Sequence, residues 1–200
     1  MASFRPLYRP PEGTQSGVRL TGAHRAVSVD VPAIYVLAPD HVGLTLQQQA
    51  ALYRYQSKPS NLQSELLMGT DDQPAPVLSL NKPQAAEAGM VKIDLLKHDV
   101  YLEKGGVALV VEPKNRSHDV LATGFNLRTN LDARLSTRLV QKNRCKTLQL
   151  LAGFGIWYDA LATFSQMIEV TPDDRPLRAW RATLLDQVDL TEAASFDQIH

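Results

Sequence analysis

The chain has 200 residues, 44% hydrophobic and 21% charged, which is enough apolar material to bury a core in one large domain or two small ones. Lys plus Arg equals Asp plus Glu at 21 each, and this zero net charge argues against a phosphate-driven nucleic-acid binder, which needs surplus cations. One cysteine, Cys145, excludes an internal disulfide and a cysteine-clustered zinc site, and no apolar run approaches the roughly 20 residues of a membrane span.

Residues 1–30 place Pro6, Pro10, Pro11, Gly13, Gly17 and Gly22 among Arg, Ser and Thr without a period of 2 or 3.6. They read as a surface-lying or disordered arm, with a mobile terminus favoured over a tether or partner-binding strand. Met1–Pro6 lacks the apolar stretch of a secretory signal. Two settings stay open: the cytoplasm, or export with a leader that this sequence does not carry.

From 31 to 128 short apolar runs alternate with turn residues: Ala33–Ala38, Ala50–Gln56, Gln63–Met68, Pro76–Leu80, Met90–Leu95, Val107–Val111 and Val120–Leu127. Met90–Leu95 alternates cleanly, with Val91, Ile93 and Leu95 on one face and Lys92 and Asp94 on the other. Seven such runs, with no helical segments between them, predict an immunoglobulin-like antiparallel β-sandwich and argue against parallel βαβ units. Gln47-Gln48-Gln49 lacks the usual Lys guard of an edge strand and would permit strand addition by a partner.

From 129 to 195 the period becomes helical. Leu131, Leu135 and Leu139 form one stripe and Leu148 with Leu151 a second, which Gly153 and Gly155 end. Ile156, Trp157, Ala160, Leu161, Phe164, Met167 and Ile168 share a broad face. Thr171-Pro172-Asp173-Asp174 breaks the chain, Asp174 is a candidate N-cap with Pro176 in the first turn, and Leu177, Trp180, Leu184, Leu185 and Val188 follow. Thr191 and Glu192 are placed to cap a final turn, and 196–200 reads as a tail. The predicted architecture is α+β: a β-sandwich followed by three or four helices packed against it.

Gly155-Ile156-Trp157-Tyr158-Asp159-Ala160-Leu161, then Pro172-Asp173-Asp174 and a helix centred on Trp180, resembles the C-terminal end of an uncharacterised family found mainly in cyanobacteria and catalogued as domain of unknown function 928. Leu37-Ala38-Pro39 with Gly43-Leu44-Thr45 is similar to that family's opening strand and loop. Glu112–Val120 is similar to its acidic-Pro-x-x-Arg-Ser-x-Asp turn, Gly124-Phe125 to its Gly-Trp, and Tyr8–Gly13 to its Pro-rich start. The chain departs at Val107, where members usually carry an aromatic. The resemblance implies an envelope setting, because members are typically predicted to be exported and lie near genes for two-partner secretion and caspase-like CHAT domains. Gly155, Tyr158–Leu161, Phe164 and Pro172 also resemble the second helix of one tetratricopeptide (TPR) repeat, although Leu148 stands where such repeats prefer Gly. A stable array needs about three repeats, so this reads as a TPR-like hairpin docked on the sandwich.

No catalytic motif emerges. His98-Asp99 and His118-Asp119 lie in turns, where spacing alone supplies neither the geometry nor the shifted pKa of a general base. His24, His41, His98, His118 and His200 are scattered, so neither metal nor cofactor is expected. Cys145 sits among Lys142, Arg144 and Lys146, but no base is legible beside it, and a half-buried helix position is the better reading. Trp157-Tyr158-Asp159 is the densest feature, read chiefly as core and otherwise as a partner anchor. Asp159 is suited to the helix N-terminus or to capping a loop. Arg175, Arg178 and Arg181 form a basic cluster expected on the face opposite Leu177 and Leu184. These six residues are the partner-binding candidates of a non-enzymatic envelope binding or scaffold protein, accessory to secretion or surface assembly. A protein partner is therefore expected. Two alternatives are a hydrolase-type enzyme built on His98, Asp99, His118, Asp119 and Asp159, and a carbohydrate- or peptide-binding module with Tyr53 or Tyr55 exposed on a groove.

Overall fold

Alternation and turn residues place the strands where the sequence reading expects them, within three residues at each end. The computed structural model describes residues 5–13, 32–59, 64–70, 73–79, 87–102, 106–113, 122–139 and 144–200. Its strands are β1 (Ile34–Val36), β2 (Gly43–Thr45), β3 (Ala51–Gln56), β4 (Ser64–Thr70), β5 (Gln73–Ser79), β6 (Gly89–Asp94), β7 (Gly106–Pro113) and β8 (Ala122–Arg128). β2 is the addition, and at three residues it is too short to show a period. They form a three-stranded sheet, β1-β3-β6, and a five-stranded sheet, β2-β8-β7-β4-β5. Every recorded pairing is antiparallel except β2 with β8, which is parallel and corrects the expectation of a wholly antiparallel set. Gly124 lets β8 and the β1 segment meet, since a Cβ there would stand 2.6 Å from that of Ala38 and 3.0 Å from Cγ1 of Val36.

In β6 Ile93 is buried and Val91 half-buried on the predicted inner face, which continues to the buried Leu95 just past the strand, while Lys92 faces outward and pairs with the half-buried Asp94 at 3.4 Å. Asp94 also caps a short 3-10 turn over Leu95–His98, accepting from the Leu96 N–H. The glutamine run is a turn between β2 and β3, in which Gln48 accepts a backbone bond from Leu102, so it offers no strand edge.

Five helices follow: α1 (Ala133–Leu139), α2 (Arg144–Gly153), α3 (Trp157–Val170), α4 (Arg175–Asp186) and α5 (Thr191–Ile199). Asp174 caps α4 as expected, its Oδ1 accepting from Leu177 N at 3.1 Å with Pro176 in the first turn. The expected final turn and tail are instead the nine-residue α5. Neither Thr191 nor Glu192 caps it; it buries Ala193 and Ala194 against the core, and its buried Asp197 is paired with Arg181 of α4. One core joins Leu37, Leu52 and Leu95 of the sheet half to Trp157, Leu161, Phe164 and Leu185 of the helices. Among the described residues no helix is long and apolar enough to cross a membrane.

Residues 5–13 overturn the mobile-terminus reading over their length. Tyr8 is 6% exposed, its N–H donates to Gln187 Oε1 at 2.8 Å, and Arg9 N donates to the Ala152 carbonyl at 3.1 Å. Gln187 Nε2 in turn donates to the Pro6 carbonyl at 2.9 Å. Gly155, at φ +73°, makes the tight α2–α3 link and leaves space for the arm, because a Cβ there would lie 2.9 Å from the Arg9 carbonyl oxygen. The arm docks because these partners come from segments far along the chain.

Asn126 in β8 is fully buried, yet among the described residues neither its Oδ1 nor its Nδ2 has a hydrogen-bond partner. Such an amide loses hydration without compensation. Asn126→Val is therefore expected to raise unfolding stability by about 1–2 kcal/mol in urea titrations. A fall would mean that the amide is paired in solution.

Candidate functional site

The first turn of α3 is a junction. Trp157 is fully buried, and its indole Nε1 donates to the Leu37 carbonyl at 2.9 Å. Tyr158 is 1% exposed and donates its hydroxyl to the Phe125 carbonyl at 2.9 Å, with burial pushing the phenol far above its usual range. Asp159 Oδ2 accepts from Thr45 Oγ1 at 2.7 Å and from Leu46 N at 3.0 Å. Burial raises the Asp159 carboxyl, against the pull of hydrogen bonds from Thr45, Leu46 and Gln47. This is the loop-capping role, supplied to the β2–β3 turn. Tyr8 completes the junction, edge-on to Trp157 with ring centroids 5.1 Å apart, and its hydroxyl lies 2.8 Å from Nε2 of the buried His41.

The arginines of α4 divide. Arg175 is exposed and Arg178 half-buried, but Arg181 is 5% exposed and lies with Leu177 and Leu184 on the buried face, contrary to expectation. The reason is Asp197 of α5, itself 1% exposed. Arg181 Nε and Nη2 each reach an Asp197 oxygen at 2.6 Å, and Nη1 donates to Ser165 Oγ at 3.0 Å. The fork satisfies a guanidinium that is largely withdrawn from water. Arg178 Nη1 stands 3.6 Å from the same carboxylate.

Beside α5 lies an open groove of about 280 Å³, lined by Tyr55, Thr191, Glu192, Ser195, Phe196 and Ile199. Tyr55, 6% exposed, is its floor and meets Phe196 edge-on at 5.8 Å. Glu192 stands on the wall, where Tyr35 donates its hydroxyl to Oε1 at 2.6 Å, and Ile199 is 79% exposed. Burial, then the hydrogen bond to Glu192 and its charge, raises the Tyr35 phenol.

Residues 18–197 match the family described as Domain of Unknown Function (DUF928). The chain belongs to the DUF928 family. No curated protein matches this DUF928 chain. The segments that carry the sequence resemblance are mostly one another's partners: Leu37 with Trp157, Thr45 with Asp159, Phe125 with Tyr158, and Pro11 with Gly155. The Trp-Tyr-Asp triplet of this DUF928 protein thus ties its helices to both sheets.

The other candidates are scattered. His98 and Asp99 are exposed at the end of the 3-10 turn, Asp99 at φ 53°, while Asp159 turns toward the β2–β3 loop. His118 and Asp119 lie outside the described residues. Among the described residues, no group of three or more His, Cys, Asp or Glu is placed to hold a metal ion. Cys145 is half-buried on α2. Tyr53 and Tyr55, the proposed exposed aromatics, are 3% and 6% exposed, and burial pushes the Tyr53 phenol up to about 12. Sequence reasoning missed the groove. Its trace in the chain was Phe196 and Ile199, spaced three apart in a segment read as a tail.

Proposed function

We propose that this DUF928 protein is a non-enzymatic binding or scaffold protein of the cell envelope, accessory to secretion or surface assembly, and that it meets a protein partner at the groove beside α5. The observation that carries this reading is the use of the buried polar groups. Trp157, Tyr158, Asp159, Arg181 and Asp197 each bond another element of the same fold, whereas the groove leaves Ile199 exposed and Phe196 half-buried beside an exposed Glu192 that also accepts from Tyr35. At about 280 Å³ the groove falls just below the usual range for cofactor and small-molecule pockets, which supports a site for one or two partner side chains. The resemblance to exported proteins supports the envelope setting. In the same reading the sheets form an immunoglobulin-like sandwich, and α2–α3 is a TPR-like hairpin that docks on it rather than one unit of a peptide-binding array.

The test is crosslinked affinity enrichment of tagged full-length protein from its native cells, followed by mass spectrometry. One reproducible envelope protein is expected, with recovery lost in Ile199→Asp and retained in Arg175→Ala. Ile199 is exposed, so stability should change by less than about 0.5 kcal/mol. A clean preparation without a partner would overturn the scaffold reading and favour small-molecule binding or catalysis.

A further inference from the structure

We propose that the groove beside α5 takes an arginine side chain of the partner protein, with the guanidinium on the Glu192 carboxylate and the aliphatic stem along Phe196 and Ile199. The proposal rests on the reading of this groove as the partner site and adds what the partner must carry. Glu192 is the only carboxylate in the lining, beside the hydroxyls of Thr191 and Ser195, the rings of Tyr55 and Phe196, and Ile199. No lining residue is a cation. Glu192 Oε1 accepts the Tyr35 hydroxyl at 2.6 Å, a neutral donor that orients the carboxylate without cancelling its charge. Among the described residues no Lys, Arg or His forms an ion pair with Glu192, whereas Asp94 and Asp197 each pair with a cation. In the first turn of α5 the Glu192 charge also complements the helix N-terminus, and it does so while the side chain stays exposed.

The surroundings select the ligand's chemistry. An anion would be repelled by Glu192, and a purely apolar segment would cover that carboxylate without compensation. A cation meets both the carboxylate and the negative faces of aromatic rings. Those rings run together: Tyr35 lies 6.1 Å from Tyr55 and Tyr55 lies 5.8 Å from Phe196, centroid to centroid. The Phe196 ring is seated against β6, where a Cβ on Gly89, at φ +124°, would stand 2.8 Å from its Cζ. Arginine suits this site better than lysine, because a planar fork can meet a carboxylate and stack on a ring at once. Its stem needs apolar cover, which the 79% exposed Ile199 supplies. The volume of about 280 Å³ fits one long side chain and part of its neighbour.

Two peptides test this on the full-length chain: acetyl-Ala-Leu-Arg-Leu-Ala-amide, and the same peptide with citrulline, which keeps the shape of arginine without its charge. In NMR titrations the arginine peptide should shift the α5 amides and bind at least about fivefold more tightly than the citrulline peptide. In Glu192→Gln, whose amide oxygen can still accept from Tyr35, the two affinities should become equal. Ile199→Lys, an exposed change that adds a cation to the wall, should weaken the arginine peptide more than the citrulline peptide. Equal affinities at α5 in the wild type would overturn the arginine assignment and leave the groove as a partner site. No α5 shift with either peptide would overturn the assignment and count against the groove itself. A preference for arginine that survives Glu192→Gln, or equal weakening of both peptides by Ile199→Lys, would also overturn it.

Discussion

Trp157→Ala is expected to lower unfolding stability by about 3–5 kcal/mol in denaturant titrations. The indole is wholly enclosed, so truncation removes its apolar contacts and opens a cavity between α3, the β1 segment and the docked arm. It also takes the Nε1 donor from the carbonyl of Leu37, itself fully buried, and an orphaned polar atom adds to the loss. Tyr8 rests edge-on against the same ring, so the arm should lose exchange protection alongside the global change. A change near zero accompanied by lost partner recovery would instead make Trp157 an interface anchor.

Asp197→Ala should destabilise by a similar amount, about 3–5 kcal/mol, because it leaves the Arg181 guanidinium buried with only Ser165 beside it and weakens the α4–α5 contact. Removing both charges is the informative comparison. Arg181→Met combined with Asp197→Leu replaces the pair with apolar groups and should recover most of the loss, since a buried pair is worth little against well-packed hydrophobics. If the single change cost less than about 1 kcal/mol, the pair would be behaving as a solvated surface bridge.

Much of the fold was legible because it is locally encoded. The alternation of Val91, Ile93 and Leu95 against Lys92 and Asp94 defines a half-buried strand wherever it packs. Asp174 followed by Pro176 starts a helix through bonds and dihedrals confined to one turn. The α3 stripe was equally clear, and its residues from Trp157 to Ile168 are largely buried. Asp159 was assigned a capping role from its first-turn position. The loop that it caps could not be read, because Thr45 stands 114 residues earlier in the chain.

What the sequence determined by itself was the order and type of most elements, the mixed α+β class, and the absence of clustered cysteines and legible catalytic motifs. Its resemblance segments also pointed to the family. Tertiary structure alone decided the parallel seat of β2, the extension of the last turn into α5, the burial of Arg181, the docking of the arm and the groove. Each of these depends on a partner that local pattern cannot name. An arginine beside Leu177 and Leu184 reads as surface until Asp197, on the next helix, supplies a carboxylate to its fork. A Pro-rich arm reads as mobile until Gln187 bonds Tyr8 from 179 residues away. Periodicity reports which face of an element is apolar, whereas the fate of a polar group depends on which distant group arrives to satisfy it.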